Sequence, residues 1–103
     1  MNTKQLNILE MKQNAQRSAN FLKLLSNPTR LLVLCNLIEG ECCVGDLENS
    51  LDISQSALSQ HLSKMRDEGM VKADKRGQHV YYSVSDPNVV EILNVLYDLF
   101  CKK

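Results

Sequence analysis

The chain has 103 residues, 44% hydrophobic and 23% charged, which suits one globular domain spanning 1–103 and excludes wholesale disorder. Its longest apolar run, Leu31 to Cys35, is far short of the ~20 residues of a membrane-crossing helix; no secretory signal opens the chain, so a cytoplasmic protein is expected. Twelve basic and twelve acidic side chains cancel, but residues 36–53 carry five acidic and no basic ones, whereas the stretches on either side lean basic, so one face can still be positive.

From Lys4 to Leu25, Ile8, Met11, Ala15, Ser18, Leu22 and Leu25 recur at alternating three- and four-residue spacing. That is the pattern of a long amphipathic helix with a seam for a partner helix. Asn27 as cap and Pro28 at the first position open a second helix, which runs to about Glu39. Its expected buried stripe is Leu31, Leu34, Cys35 and Ile38, and Gly40 ends it. A short helix follows from about Val44 to Ser50 with Cys43 as cap, and Leu51-Asp52-Ile53 forms a turn. Ser54 then caps a helix to about Glu68, with Leu58, Leu62 and Met65 inward and Ile53 placed to staple against Leu58. Gly69 stops it. Beyond Met70 the period changes to two, through Val71 and Ala73 and then Val80, Tyr82 and Val84. The polar tip Lys75-Arg76-Gly77-Gln78 lies between, which predicts a two-stranded hairpin. Asp86-Pro87 starts a last helix to about Cys101. Ten of the thirteen residues from Val89 to Cys101 are apolar, so this helix is expected to be buried nearly all round. A chain this small achieves that only with a second subunit.

Helix, turn, helix and basic-tipped hairpin make up a winged helix-turn-helix, mainly α with a β-hairpin wing. The expected assembly is a homodimer through the N- and C-terminal helices. Seven neutral polar residues crowd Ser54 to Ser63 without a charge, which is unusual for a merely solvated face and suited to base edges. Ser54, Gln55, Ser56, Ser59, Gln60 and His61 are the candidate groove residues; Lys64, Lys75, Arg76 and Gln78 are candidates for the DNA backbone. His79 reads as a solvated wing residue. Winged helices also serve as protein-interaction modules, and the zero net charge keeps that reading, with structural thiols, open.

Four cysteines are present, Cys35, Cys42, Cys43 and Cys101. No CxxC pair or Cys/His zinc spacing occurs, so neither a thiol oxidoreductase nor a metal site is signalled, and no cofactor is implied. Adjacent Cys42 and Cys43 do not easily share one tetrahedral ion. Cys43 has the helix-cap position that lowers a thiol pKa, although Glu41 and Asp46 oppose this. Cys35, on a core stripe, reads as packing, and Cys101 lies near a terminus.

Several segments together resemble the ArsR/SmtB repressors. They are Asn27-Pro28-Thr29-Arg30, Val44-Gly45-Asp46-Leu47, Ser54-Gln55-Ser56-Ala57-Leu58-Ser59-Gln60-His61-Leu62, and Tyr81-Tyr82 ahead of the last helix. The resemblance implies a homodimeric repressor that leaves double-stranded operator DNA on sensing an inducer. Metal- and arsenic-sensing members carry Cys-Val-Cys-Asp-Leu in the short helix. Here Cys43-Val44-Gly45-Asp46-Leu47 has glycine in place of the second thiolate, and residues 86–101 hold no histidine ligand. The pairing of Cys35 with Cys101 is instead similar to the HlyU/BigR-type branch, which implies sensing of persulfide or oxidant through a bridge between them. A metal- or arsenite-responsive site at Cys42 and Cys43 is the alternative.

Overall fold

The computed structural model describes residues 7–101; the part of the first expected helix at residues 4–6 lies outside them. The order is α1 (Ile8–Leu25), α2 (Pro28–Glu39), β1 (Cys42–Cys43), α3 (Val44–Leu51), α4 (Gln55–Asp67), β2 (Val71–Arg76), β3 (His79–Val84) and α5 (Pro87–Phe100). Short polar side chains set the helix starts by satisfying the first free N–H groups. Asn7 accepts from the Glu10 N–H at 2.8 Å and caps α1 ahead of Ile8. Asn27, Ser54 and Asp86 do the same for Arg30, Ala57 and Asn88 at 3.1, 3.3 and 2.9 Å. Cys43 holds the N-cap position of α3, but its side chain makes no capping hydrogen bond.

The core lies where α2, α3 and α4 meet the wing base and the start of α5. Val33, Leu34, Leu47, Leu58, Leu62, Met65 and Val89 are each 0% exposed there, and Ile53 packs half-buried against them. The α2 stripe differs from expectation: Val33, Leu34 and Leu37 are buried, Leu31 and Ile38 are half-buried, and Cys35 is exposed. The run Leu31 to Cys35 is apolar on every side of the helix, so spacing alone does not choose which side faces in.

The sheet has three strands in the order β1-β3-β2, all antiparallel, not the expected two. β2 and β3 pair from Val71↔Val84 to Arg76↔His79, and Gly77, at φ +62, opens the two-residue turn between them. A first turn position with positive φ suits glycine. β1 adds Cys42↔Tyr82 and Cys43↔Tyr81, which joins the segment before α3 to the wing. Asp52 ends α3 in the left-handed region at φ 53, giving the tight turn into α4.

α5 is covered on one side only within a single chain. Within this chain only Val89 and Leu93 are buried, while Val95, Tyr97, Leu99 and Phe100 are exposed, Phe100 by 80%. Along α1, Ile8, Leu9, Met11 and Leu22 are exposed too, so most of the predicted seam faces outward. Among the described residues no single helix is long and apolar enough to cross a membrane.

Candidate nucleic-acid interface and thiol pair

α4 is anchored by one apolar edge. Leu58, Leu62 and Met65 recur at four and three residues and are fully buried, so the opposite side must face out. Ser54, Gln55, Ser56, Ser59, Gln60 and Lys64 are all exposed, as the sequence predicts. The Ser54 hydroxyl serves as the cap, so it is partly engaged by the Ala57 N–H and lies 3.4 Å from that of Ser56. Lys64 pairs with Glu68 at 3.6 Å, while Gln55, Ser59 and Gln60 have no side-chain partner among the described residues.

His61 stands apart from that set. It is half-buried and turned toward α2, where its Nδ1 accepts from the Arg30 Nε at 3.3 Å. A second Arg30 nitrogen donates to the Leu24 carbonyl at 3.0 Å. Arg30 therefore joins the end of α1, the start of α2 and the middle of α4. Partial burial lowers the His61 pKa, and the Arg30 charge lowers it further, so the ring is neutral with its proton on Nε2. Arg30 belongs to the Asn27-Pro28-Thr29-Arg30 signature, but nothing in that tetrapeptide marks which side chain it will hold.

In the wing, Lys75 and Gln78 are exposed as expected, whereas Arg76 is not free. Its two terminal nitrogens donate to both Glu41 carboxylate oxygens at 2.7 and 2.6 Å, and its Nε donates to Asp74 at 2.9 Å. The guanidinium also lies 4.7 Å from the Tyr81 ring centre. The hydrogen bonds from Arg76 hold the Glu41 carboxyl below its ordinary pKa, and the arginine in turn is held protonated more firmly. Sequence reasoning gave Glu41 no part in the wing; β1 brings it there.

The cysteines fall into two sets. Cys42 and Cys43 are successive residues of a strand, which sends their side chains to opposite faces and denies them a shared ion. The Cys42 thiol donates to the Asn36 side-chain oxygen at 3.3 Å, and burial, followed by Asp46, Cys43 and Glu41, raises its pKa. It is a protonated, hydrogen-bonded thiol. Among the described residues no three His, Cys, Asp or Glu side chains converge as a metal site requires. Cys35 on α2 and Cys101 at the C-cap of α5 are both unbridged and exposed. Burial raises the Cys35 pKa most, followed by charge repulsion from Cys101 and from Glu39.

Comparison with known proteins places these features among relatives. The family described as bacterial regulatory protein, arsR family, matches residues 27–73, from the α2 cap to the wing. The chain is 39% identical over 97 residues to the transcriptional activator HlyU of Vibrio cholerae, across 94% of this chain and 90% of that one. It is 38% identical over 92 residues to the biofilm growth-associated repressor of Xylella fastidiosa, across 89% and 81%. Among solved structures, reduced HlyU from Vibrio cholerae matches with a TM-score of 0.87 at 39% identity, covering 92% of this chain and all of that one. The transcriptional repressor BigR from Xylella fastidiosa matches at 0.84 and 36% identity, covering 95% and 100%.

Proposed function

The chain belongs to the ArsR family of bacterial regulatory proteins, and from this premise we propose a homodimeric repressor released from its operator by a sulfur bridge between Cys35 and Cys101. It is a transcriptional regulator and not an enzyme. The Xylella relative's name supports repression; the Vibrio relative's name, an activator, belongs to a protein that shares the same DNA-facing architecture.

The observation that carries the sensor reading is that Cys35 on α2 and Cys101 at the C-cap of α5 are both unbridged and exposed, with Cys101 among the charges that raise the Cys35 pKa. Exposure lets a small sulfur reagent in, and the second thiol then completes the bridge. With a low-molecular-weight persulfide, RSSH, one cysteine thiolate attacks its outer sulfur, releases the thiol RSH and becomes a persulfide. The other thiolate then attacks the inner sulfur of that group and expels hydrosulfide, leaving a disulfide. Both cysteines are oxidised, and the two sulfurs of the reagent leave reduced, as RSH and hydrogen sulfide. Further persulfide, reduced in the same way, leaves additional sulfur atoms in the bridge.

α2 carries the signal toward DNA. Cys35 lies five residues beyond Arg30 on this helix, and Arg30 holds His61 of α4. A bridge that draws α2 toward the end of α5 therefore acts on the helix that faces the groove. The uncovered apolar residues of α1 and α5 are the surface for the second subunit. A two-fold dimer reads half-sites about one helical turn apart in cytoplasmic DNA.

The test is operator binding with and without persulfide. Cys35→Ser and Cys101→Ser bind DNA but stay bound after treatment, while Cys42→Ser and Cys43→Ser release it normally. Intact mass of the treated wild type shows loss of two hydrogens, alone or with added sulfur. Loss of the response in Cys43→Ser, with Cys35→Ser still responding, would move the sensor to β1 and α3. Sedimentation at micromolar concentration gives a dimer; a stable monomer overturns the assembly.

A further inference from the structure

α4 has a second cationic surface beside it, built without the wing. Lys23 in the last turn of α1, Arg30 in the first turn of α2 and Lys64 of α4 line one open cleft of ≈ 380 Å³, together with Asn20 and Glu68. Three cations face one carboxylate. The single ion pair in the cleft joins Lys64 to Glu68 at 3.6 Å across one helical turn, both ends largely solvated, and such a pair is easily exchanged. Lys23 has no carboxylate within ion-pair distance among the described residues.

Arg30 makes this surface more than a set of loose lysines. Its Nε is fixed on His61 and one terminal nitrogen on the Leu24 carbonyl, so the plane of the guanidinium is set before any partner arrives. The remaining terminal nitrogen has no acceptor among the described residues. Such a pre-oriented fork suits a phosphate oxygen, and two flexible ammonium groups complete the neutralisation. Lys64 follows Gln60 by one turn on the exposed side of α4, so a duplex reached by Gln60 passes beside the cleft.

We propose that Lys23, Arg30 and Lys64 seat one phosphate of the DNA backbone bordering the groove that α4 enters. Lys23 and Arg30 join Lys64 as backbone contacts, which makes the end of α1 part of the DNA-binding surface. The inference rests on the DNA-binding reading above.

The experiment is the salt dependence of binding to an operator fragment and to an unrelated duplex of equal length. Loss of one phosphate contact lowers the magnitude of the log–log salt slope by about 0.9. Between 50 and 200 mM salt the wild type then loses roughly 3-fold more affinity than the variant. Lys23→Gln shows this on both duplexes by the same factor. Arg30→Gln shows it too, but it also releases His61, so Lys23→Gln decides. Lys12→Gln, elsewhere on α1, leaves the slope unchanged. Wild-type binding with an unaltered slope in Lys23→Gln overturns this inference alone. A wild-type chain with no salt-dependent DNA binding overturns it together with the repressor reading. A slope lowered equally by Lys12→Gln also overturns it, because the effect is then one of net charge.

Discussion

The two cationic surfaces beside α4 hold their charge in opposite ways. In the wing, the Arg76 guanidinium is closed by Glu41 and Asp74 within 2.9 Å and lies against Tyr81. In the α1–α2–α4 cleft, three cations share one carboxylate, Glu68, which pairs with Lys64 alone at 3.6 Å. A phosphate approaching the wing must first displace carboxylates that already occupy the arginine's donors. One approaching the cleft finds an oriented donor. Both ends of the wing pairs are solvated, so phosphate exchanges with the carboxylates on the arginine. The comparison shows that a basic residue at a tip is not thereby an available charge.

The largest expected effect comes from breaking what both surfaces share. Leu62→Ala removes a fully buried side chain from the inner edge of α4 and costs about 2–5 kcal/mol of folding stability by urea titration. Both surfaces lose their DNA contacts together.

Next in size is Arg30→Ala. It strips His61 and the Leu24 carbonyl of their partner in a part-buried setting, at a cost of about 1–2 kcal/mol. Arg76→Ala, at an exposed site, unfolds in urea almost as the wild type does. Equal losses in the two variants would mean that the cleft arginine is no more structural than the wing one.

Glu41→Gln sharpens the contrast at the wing. Freed from its main partner, Arg76 meets phosphate more readily, and DNA binding tightens by up to about 5-fold, with a steeper salt slope. Weaker binding would instead mean that the carboxylate holds the wing in its DNA-ready shape.

The smallest effect is one of pH. The folded pKa of His61 is lowered, so the unfolded chain takes up the proton first, near its ordinary value of about 6.5. The contribution is therefore fully present above that pH and is lost as pH falls toward the lowered folded value. Melting temperatures compared between pH 8 and 5.5 should fall less for His61→Gln than for the wild type.

Much of the helical scaffold was legible because its boundaries are written in local chemistry. Asn27-Pro28, Ser54, Gly69 and Asp86-Pro87 punctuate the chain within a residue or two of where the helices change, and the exposed polar side of α4 follows from Leu58, Leu62 and Met65. Where local signals are absent, the reading fails for identifiable reasons. β1 is two residues long and too short to show a period, and its partner strand lies far along the chain. The contact of Glu41 with Arg76 depends on that unseen strand. Spacing does not turn Cys35 outward, because five consecutive apolar residues give a helix no phase. The same uniformity along α5 gives no phase, so spacing does not single out Val89 and Leu93 as the residues that turn inward within one chain. The part of Arg30 in holding His61 is a tertiary contact with no trace in spacing.

The short pairing of β1 with β3 has a mechanical consequence. The wing is attached at both of its roots: β2 continues directly from α4 through Gly69 and Met70, and β3 is fastened by β1 to the start of α3. It is not a finger that swings on a single hinge. The helix-turn-helix and the wing form a gauge with a preset gap, and the width of backbone that it spans is decided when the chain folds. A duplex whose groove departs from that width has to bend or widen to match, so the stiffness of the DNA itself becomes part of what is recognised, at base pairs that no side chain touches.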